Sequence, residues 1–299
     1  MSIQLFVADK LIRLTMKRRF ARDPDVLTLR PIMARAQTPR VSKSVEVDEI
    51  SLGGVQTERL RPNGRESKHA ILYIHGGGFV AGHPANHRTL TSLLAGKLNA
   101  TVYAVDYRLA PEHAFPAALE DCASAYRALI ASGIAPKNLA VGGDSAGGNL
   151  TLALGLKLKS ETVPLPAALV ALSPATDLAA APPSHVSNAR SDAMFDARMF
   201  PSVVKHYCPG EDPANPLISP IRGDLRGLPP TLIQCSRDEM LRDDGVLMAE
   251  RLKAAGVDVS LEVWPRVFHV WQVAGNLIPE SRRAIANIVR FVASKWDDS

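Results

Sequence analysis

Asn138-Leu139-Ala140-Val141 leads into Gly143-Asp144-Ser145-Ala146-Gly147-Gly148, and a helical pattern begins at Asn149-Leu150. A serine is thereby framed as G-x-S-x-G between a strand-like apolar run and a helix. A turn this tight crowds the serine backbone, so Gly143 and Gly147 supply room where a Cβ would clash. The pattern predicts a Ser145 hydroxyl pushed out beyond the sheet edge. Taken alone, the five-residue pattern also suits an ordinary loop turn, because glycine and serine are common there. Its flanks and its partners elsewhere in the chain decide between the two.

The first partner lies upstream. His69-Ala70-Ile71-Leu72-Tyr73-Ile74 reads as a buried strand and runs directly into His75-Gly76-Gly77-Gly78-Phe79. Backbone N–H groups in such a glycine loop can approach an oxygen that becomes negative during acyl transfer, because no side chain obstructs them. The expected donors are Gly77 and Gly78, joined by the N–H of Ala146 just after the serine. His75, Gly76 and Asp144 are read as motif support. The alternatives are a flexible loop or a phosphate cradle. The chain has neither GxxxxGK[ST] nor a GxGxxG followed by a helix and an acidic residue, which argues against the cradle.

A nucleophilic serine needs a base, and the base needs an orienting carboxylate. Downstream, Thr231-Leu232-Ile233-Gln234-Cys235 reads as a strand ending at Ser236-Arg237-Asp238-Glu239. A carboxylate just past a strand's carboxyl end faces the ligand crevice of a parallel sheet, and Asp238 is assigned that role. Asp243 and Asp244 fall in the next helix's first turn, where an acid serves as a cap or dipole partner. A further strand, Val259 to Trp264, delivers Phe268-His269-Val270, so His269 is the expected base.

The chain has eight histidines. His83, His87 and His113 sit in loops near the glycine motif but precede the serine. His185 and His206 fall in a segment read as a lid, and His69 begins a strand. Only His269 combines a late chain position with a place after a strand. No zinc-like spacing and no HExxH occurs, so neither a metal nor another cofactor is implied.

Together these motifs resemble the hormone-sensitive-lipase-like (bacterial family IV) esterases of the α/β-hydrolases. Tyr107-Arg108-Leu109-Ala110-Pro111-Glu112 and Asp212-Pro213-Ala214-Asn215-Pro216-Leu217-Ile218-Ser219-Pro220 extend the likeness over essentially the whole chain. The departure is Ser236-Arg237 before the acid. The resemblance implies an α/β-hydrolase fold with a mostly parallel eight-stranded sheet, flanking helices and a helical cap. It implies a serine carboxylesterase for short- to medium-chain esters acting through a Ser145-His269-Asp238 triad and an acyl-enzyme. A lactone or other acyl-group hydrolase on the same triad is the alternative. A catalytically silent small-molecule receptor is a further one, and such a receptor would lack the base. The resemblance also implies cap helices at 1–44, a second cap segment at 177–208, and a homodimer through the final strand and helix, roughly 259–296.

The rest of the chain fits this frame. Its 299 residues allow one large α/β domain, here 45–176 with 209–299. Strands are expected near 45–50, 55–60, 69–75, 101–106, 138–142, 167–172, 230–235 and 259–264. Helices are expected near 86–98, 116–132, 146–158, 242–255 and 281–296. This alternation predicts a mostly parallel sheet with helices on both faces. Pro24, Pro31 and Pro39 break up the N-terminal region, and a helix-like stretch runs from Asp196 to Tyr207 in the inserted segment. Phe79, Val80, Met194, Phe195, Phe200 and Val270 are read as pocket lining or, equally, as core.

The formal charge of +5 is modest and, Lys17-Arg18-Arg19 apart, basic residues are scattered, which argues against nucleic-acid binding. The three cysteines, Cys122, Cys208 and Cys235, form no framework and suit a reducing, cytoplasmic compartment. Apolar residues recur at helical spacing through Ser2 to Phe20, but Asp9, Lys10 and Arg13 interrupt any signal-peptide core and no run is long enough to cross a bilayer. A cap helix is favoured there over a helix lying on a membrane surface.

Overall fold

In the computed structural model, which describes residues 1–36, 41 and 44–296, the expected strands join into one sheet in the order β1-β2-β4-β3-β5-β6-β7-β8. β1 (Val45–Leu52) and β2 (Val55–Pro62) form a hairpin through Gly53-Gly54, both at positive φ. β2 is antiparallel to β4 (Thr101–Val105). The remaining pairings, among β3 (Ala70–Ile74), β4, β5 (Leu139–Asp144), β6 (Ala168–Leu172), β7 (Thr231–Ser236) and β8 (Val259–Trp264), are all parallel. β3 to β7 are buried at every position, which explains why they read as continuous apolar runs rather than alternating ones.

Helices cover both faces. On one, Leu90 and Leu94 of α4 (Pro84–Leu98) and Ile285, Ile288 and Val292 of α10 (Pro279–Ala293) pack on Ile71, Tyr73, Val102 and Val170. On the other, α5 (Ala117–Ala131), α6 (Ala146–Ser160) and α9 (Arg242–Ala254) bury Leu119, Tyr126, Leu150, Leu154, Met248 and Leu252 against Leu72, Ile74, Val141 and Ile233. The helix expected at 281–296 starts earlier and ends earlier, because Pro279 takes the first turn, where its missing N–H removes no bond.

Two segments stand apart from this alternation. The first comprises α1 (Ile3–Ile12), a π-helical stretch Arg13–Lys17, α2 (Arg18–Arg22), and α3 (Leu29–Arg35). Ser2 caps α1, its Oγ accepting the Leu5 N–H at 3.2 Å. Pro39 lies outside the described residues. The second, between β6 and β7, carries α7 (Ser184–Ser187) and α8 (Met199–Tyr207). The two segments are tied together. Lys17 Nζ donates to the Ala189 carbonyl at 2.6 Å, Arg13 Nη1 to the Asp192 carbonyl at 3.0 Å, and the Val26 N–H to Ser202 Oγ at 3.1 Å. Among the described residues no helix is long and apolar enough to cross a membrane.

Candidate active site

Ser145 sits at the junction of β5 and α6 with φ 54° and ψ −117°, a conformation that L-residues avoid. Such strain costs on the order of 1–3 kcal/mol and persists only where the surroundings hold it. Here the Ser145 N–H donates to the Leu172 carbonyl at 2.8 Å. A Cβ on Gly143 would lie 2.5 Å from the Ile74 carbonyl oxygen, and one on Gly147 2.6 Å from that of His75. Both glycines are therefore required by close backbone approach.

The glycine loop after β3 wraps the same point. Gly77 and Gly78 have φ of 132° and 63°. The N–H groups of Gly77, Gly78 and Ala146 donate to no other group among the described residues, and all three residues line one cavity with Ser145. Asp144 anchors the loop to the serine strand. Its Oδ1 accepts the Tyr73 hydroxyl at 2.7 Å and the Gly76 N–H at 3.1 Å, while Oδ2 lies 3.2 Å from His87 Nε2. Burial pushes the Asp144 carboxyl up, but the charge of His87 and the His87 and Tyr73 hydrogen bonds outweigh it and hold the group below its usual value. Burial pulls His87 down, and Asp144 more than reverses this, leaving it above its usual value. His75 is a scaffold residue. Its ring stacks on Tyr107 at 4.3 Å, its Nδ1 meets the Gly76 carbonyl at 2.8 Å, and burial pushes it down to about 3. Tyr107 in turn donates to the His75 carbonyl at 2.9 Å.

The acid differs from the expectation. His269 Nδ1 lies 2.6 Å from Glu239 Oε2, not from Asp238. Ser236 Oγ accepts the Asp238 N–H at 3.1 Å, turning the chain so that neighbouring side chains diverge. Asp238 faces outward, with its side chain 31% exposed and its Oδ2 accepting the Arg266 N–H at 2.6 Å. Glu239 faces inward, 1% exposed, with Oε1 accepting the Ser236 N–H at 2.7 Å. Because a carboxylate accepts, the Nδ1 of His269 carries the proton. Nε2 is then the basic nitrogen; it is buried and has no hydrogen-bond partner among the described residues.

The cavity holding Ser145 and His269 measures about 590 Å³, well within the range of small-molecule sites. Met194, Phe195, Phe200, Phe79 and Val270 line it, and Phe195 stands edge-on to the His269 ring at 4.5 Å. Val80 does not: its side chain is buried in the core while its carbonyl receives Arg30 Nε at 2.8 Å. Phe79 has a positive φ, and its ring stacks on Tyr207 at 3.7 Å.

Several lining residues escaped sequence reading. Ile12, Met16, Val26, Leu29 and Met33 form one wall; their helical spacing was the available signal. His185 and Asp244 form another polar pair at the wall, Nε2 to Oδ2 at 2.8 Å, with burial holding the Asp244 carboxyl above its usual value despite that partner. Three other histidines take local roles. His83 caps α4 by accepting the Ala85 N–H at 3.1 Å, His206 pairs with Asp25 at 3.1 Å, and His69 stacks on Trp296. No group of three or more His, Cys, Asp or Glu among the described residues is placed to hold a metal.

A mostly parallel sheet, a serine on the turn between β5 and α6, and a facing glycine loop define an α/β hydrolase. The family model described as alpha/beta hydrolase fold matches residues 71–273. An acetyl-hydrolase of Streptomyces hygroscopicus is 41% identical over 238 residues, which cover 80% of this chain and 79% of that protein. An esterase of Acinetobacter venetianus is 34% identical over 280 residues, covering 91% and 92%. A crystal structure of an esterase from the bacterial hormone-sensitive lipase family superposes with a TM-score of 0.84 at 38% identity, over 91% of this chain and 97% of that one. The chain belongs to the α/β-hydrolase fold family, among the esterases related to hormone-sensitive lipase.

Proposed function

We propose that the protein is a carboxylesterase in which Ser145 is the nucleophile, His269 the general base and Glu239 the acid that orients it. The observation that carries this reading is the 2.6 Å contact of Glu239 with His269 Nδ1, which leaves a buried, unpartnered Nε2 in the cavity that Ser145 lines.

Ser145 Oγ attacks the ester carbonyl carbon as His269 Nε2 takes the hydroxyl proton. Glu239 stabilises the resulting imidazolium. The carbonyl oxygen, now negative, is held by the N–H groups of Gly77, Gly78 and Ala146, and each such donor is typically worth on the order of 100- to 1000-fold in rate. The C–O bond breaks, and His269 protonates the leaving alcohol. Water repeats the sequence on the acyl-enzyme and releases the acid.

The apolar lining supports esters of short to medium acyl chains as substrates. Residues 1–44 and 177–208 act as the cap in this reading, and 45–176 with 209–299 as the catalytic domain. The free edge strand β8, with Leu261 and Val263 partly exposed, supports a homodimer through 259–296. The buried free cysteines support a reducing, cytoplasmic setting.

The test is hydrolysis of p-nitrophenyl esters from acetyl to palmitoyl by wild type and Ser145→Ala. Activity that peaks at short to medium chains and vanishes in the variant is the expected result. Folded protein that turns over no ester in the series overturns the reading.

A further inference from the structure

We propose that the outward face of the N-terminal helical arm, residues 3–22, docks on an anionic lipid bilayer surface. The proposal goes beyond the ester-hydrolase reading and does not depend on the triad.

α1 is apolar on two opposite sides. Leu5, Ala8 and Ile12 point inward, in one cluster with Phe268, Trp271 and Ile278. Ile3, Phe6, Val7, Leu11 and Leu14 point outward at 81%, 47%, 50%, 57% and 51% exposure. Positions 3, 6, 7, 11 and 14 form one helical stripe. A helix apolar on two opposite sides belongs where both are covered, and among the described residues only one of them is covered.

Charge indicates what covers the other. Of the 35 Lys and Arg residues, six lie within residues 1–22; of the 30 Asp and Glu residues, only Asp9 does. That arm therefore carries a net +5, the whole formal charge of the protein, and the rest of the chain is balanced. Lys10, Arg18, Arg19 and Arg22 are exposed, and Asp9 is already paired with Arg13 at 2.8 Å.

A second copy seated on this face through a two-fold contact would bring like charges together. Nucleic acid would match the charge but leave the aliphatic stripe wet. An anionic bilayer meets both demands: headgroups take the basic side chains and the acyl boundary takes the apolar ones. Ile12 and Met16 of the same arm line the active-site cavity, so the segment resting on lipid is also a wall of the site.

The test is co-sedimentation of the full chain with vesicles of phosphatidylglycerol or of phosphatidylcholine. Binding to phosphatidylglycerol is expected to be at least about tenfold tighter, and to weaken in about 0.5 M NaCl as surface charge is screened. Phe6→Ser/Leu11→Ser/Leu14→Ser is expected to weaken it by at least about tenfold, since insertion scales with buried apolar area. That variant should still hydrolyse dissolved p-nitrophenyl acetate at the wild-type rate, which establishes that it is folded. Ser145→Ala should bind vesicles as wild type does, so loss of activity and loss of docking are separable. Three results overturn the proposal: no binding to phosphatidylglycerol, binding indifferent to the triple substitution, or a solution dimer that the triple substitution splits.

Discussion

Replacing Glu239 with glutamine keeps the shape of the side chain and removes its charge, and the surrounding bonds dictate how the site responds. In the native protein Oε1 accepts the Ser236 N–H at 2.7 Å and Oε2 meets His269 Nδ1 at 2.6 Å. Both positions need an acceptor, and glutamine offers one oxygen and one NH₂. The Ser236 N–H is fixed in backbone at the end of β7 and keeps the oxygen. The NH₂ then faces His269 Nδ1 and drives the ring to the tautomer with its proton on Nε2. That nitrogen can no longer accept the Ser145 proton. The analogous acid-to-amide change in a serine protease triad lowers kcat by about 10⁴-fold, equivalent to about 5 kcal/mol of barrier. We expect a loss of that order for Glu239→Gln, read as kcat on p-nitrophenyl butyrate with circular dichroism to establish the fold. Asp238→Asn should change kcat by less than about threefold. The side chain is partly exposed, its 3.8 Å approach to Arg237 is worth less than about 1 kcal/mol, and the asparagine oxygen can still accept the Arg266 N–H that Asp238 Oδ2 holds at 2.6 Å. If Asp238→Asn is the more damaging change, or if Glu239→Gln stays within about tenfold of wild type, the assignment of Glu239 is wrong.

The same geometry predicts two further outcomes. Gly147→Ala places a Cβ 2.6 Å from the His75 carbonyl oxygen. The strain should destabilise the protein by about 1–3 kcal/mol and, by parting Ala146 from the glycine loop, cut kcat by about 100-fold or more; thermal melts and steady-state kinetics check both. His75 and His87, whose ring centroids lie 5.9 Å apart, should titrate in opposite senses. Burial pushes His75 down to about 3 from 6.5, so the stability that its neutral form contributes is full above pH 6.5 and declines as the pH falls towards 3. His87 is raised by Asp144, so its contribution is full below pH 6.5 and is lost as the pH rises through its higher folded value. Nitrogen-15 NMR of the rings at pH 6.5 should find His75 neutral and His87 more than half protonated. A His75 ring half protonated at that pH contradicts the burial argument.

The parts of the site that depend on local backbone were legible in the sequence. Gly143, Gly147 and the run Gly76-Gly77-Gly78 are demanded by close backbone approach, and that demand leaves a residue-type signature. The buried parallel strands were equally plain as short apolar runs. The choice between Asp238 and Glu239 was not, because both are acids in one turn and the direction of each depends on Ser236 Oγ and Arg266, one across the turn and the other beyond β8. One signal was available: Glu239 is followed by Met240 and Leu241, both buried, whereas Asp238 follows an exposed arginine. Phe79 and Val80 illustrate the same limit, since composition does not reveal which of two adjacent apolar residues faces a cavity. The wall built from Ile12, Met16, Val26 and Leu29 was hidden because a stripe that lines a pocket and one that packs a core have the same helical spacing.

Acylation of Ser145 during turnover is what the proposed mechanism requires. Its most direct test is to treat the protein with a p-nitrophenyl dialkyl phosphate, which leaves a stable phosphoryl group on an activated serine, and to locate the adduct by peptide mass spectrometry. One adduct per chain is expected, on Ser145, with activity lost in step, and no adduct in Ser145→Ala or Glu239→Gln over the same time. An adduct on another residue, or full ester hydrolysis with Ser145 modified, would contradict that mechanism.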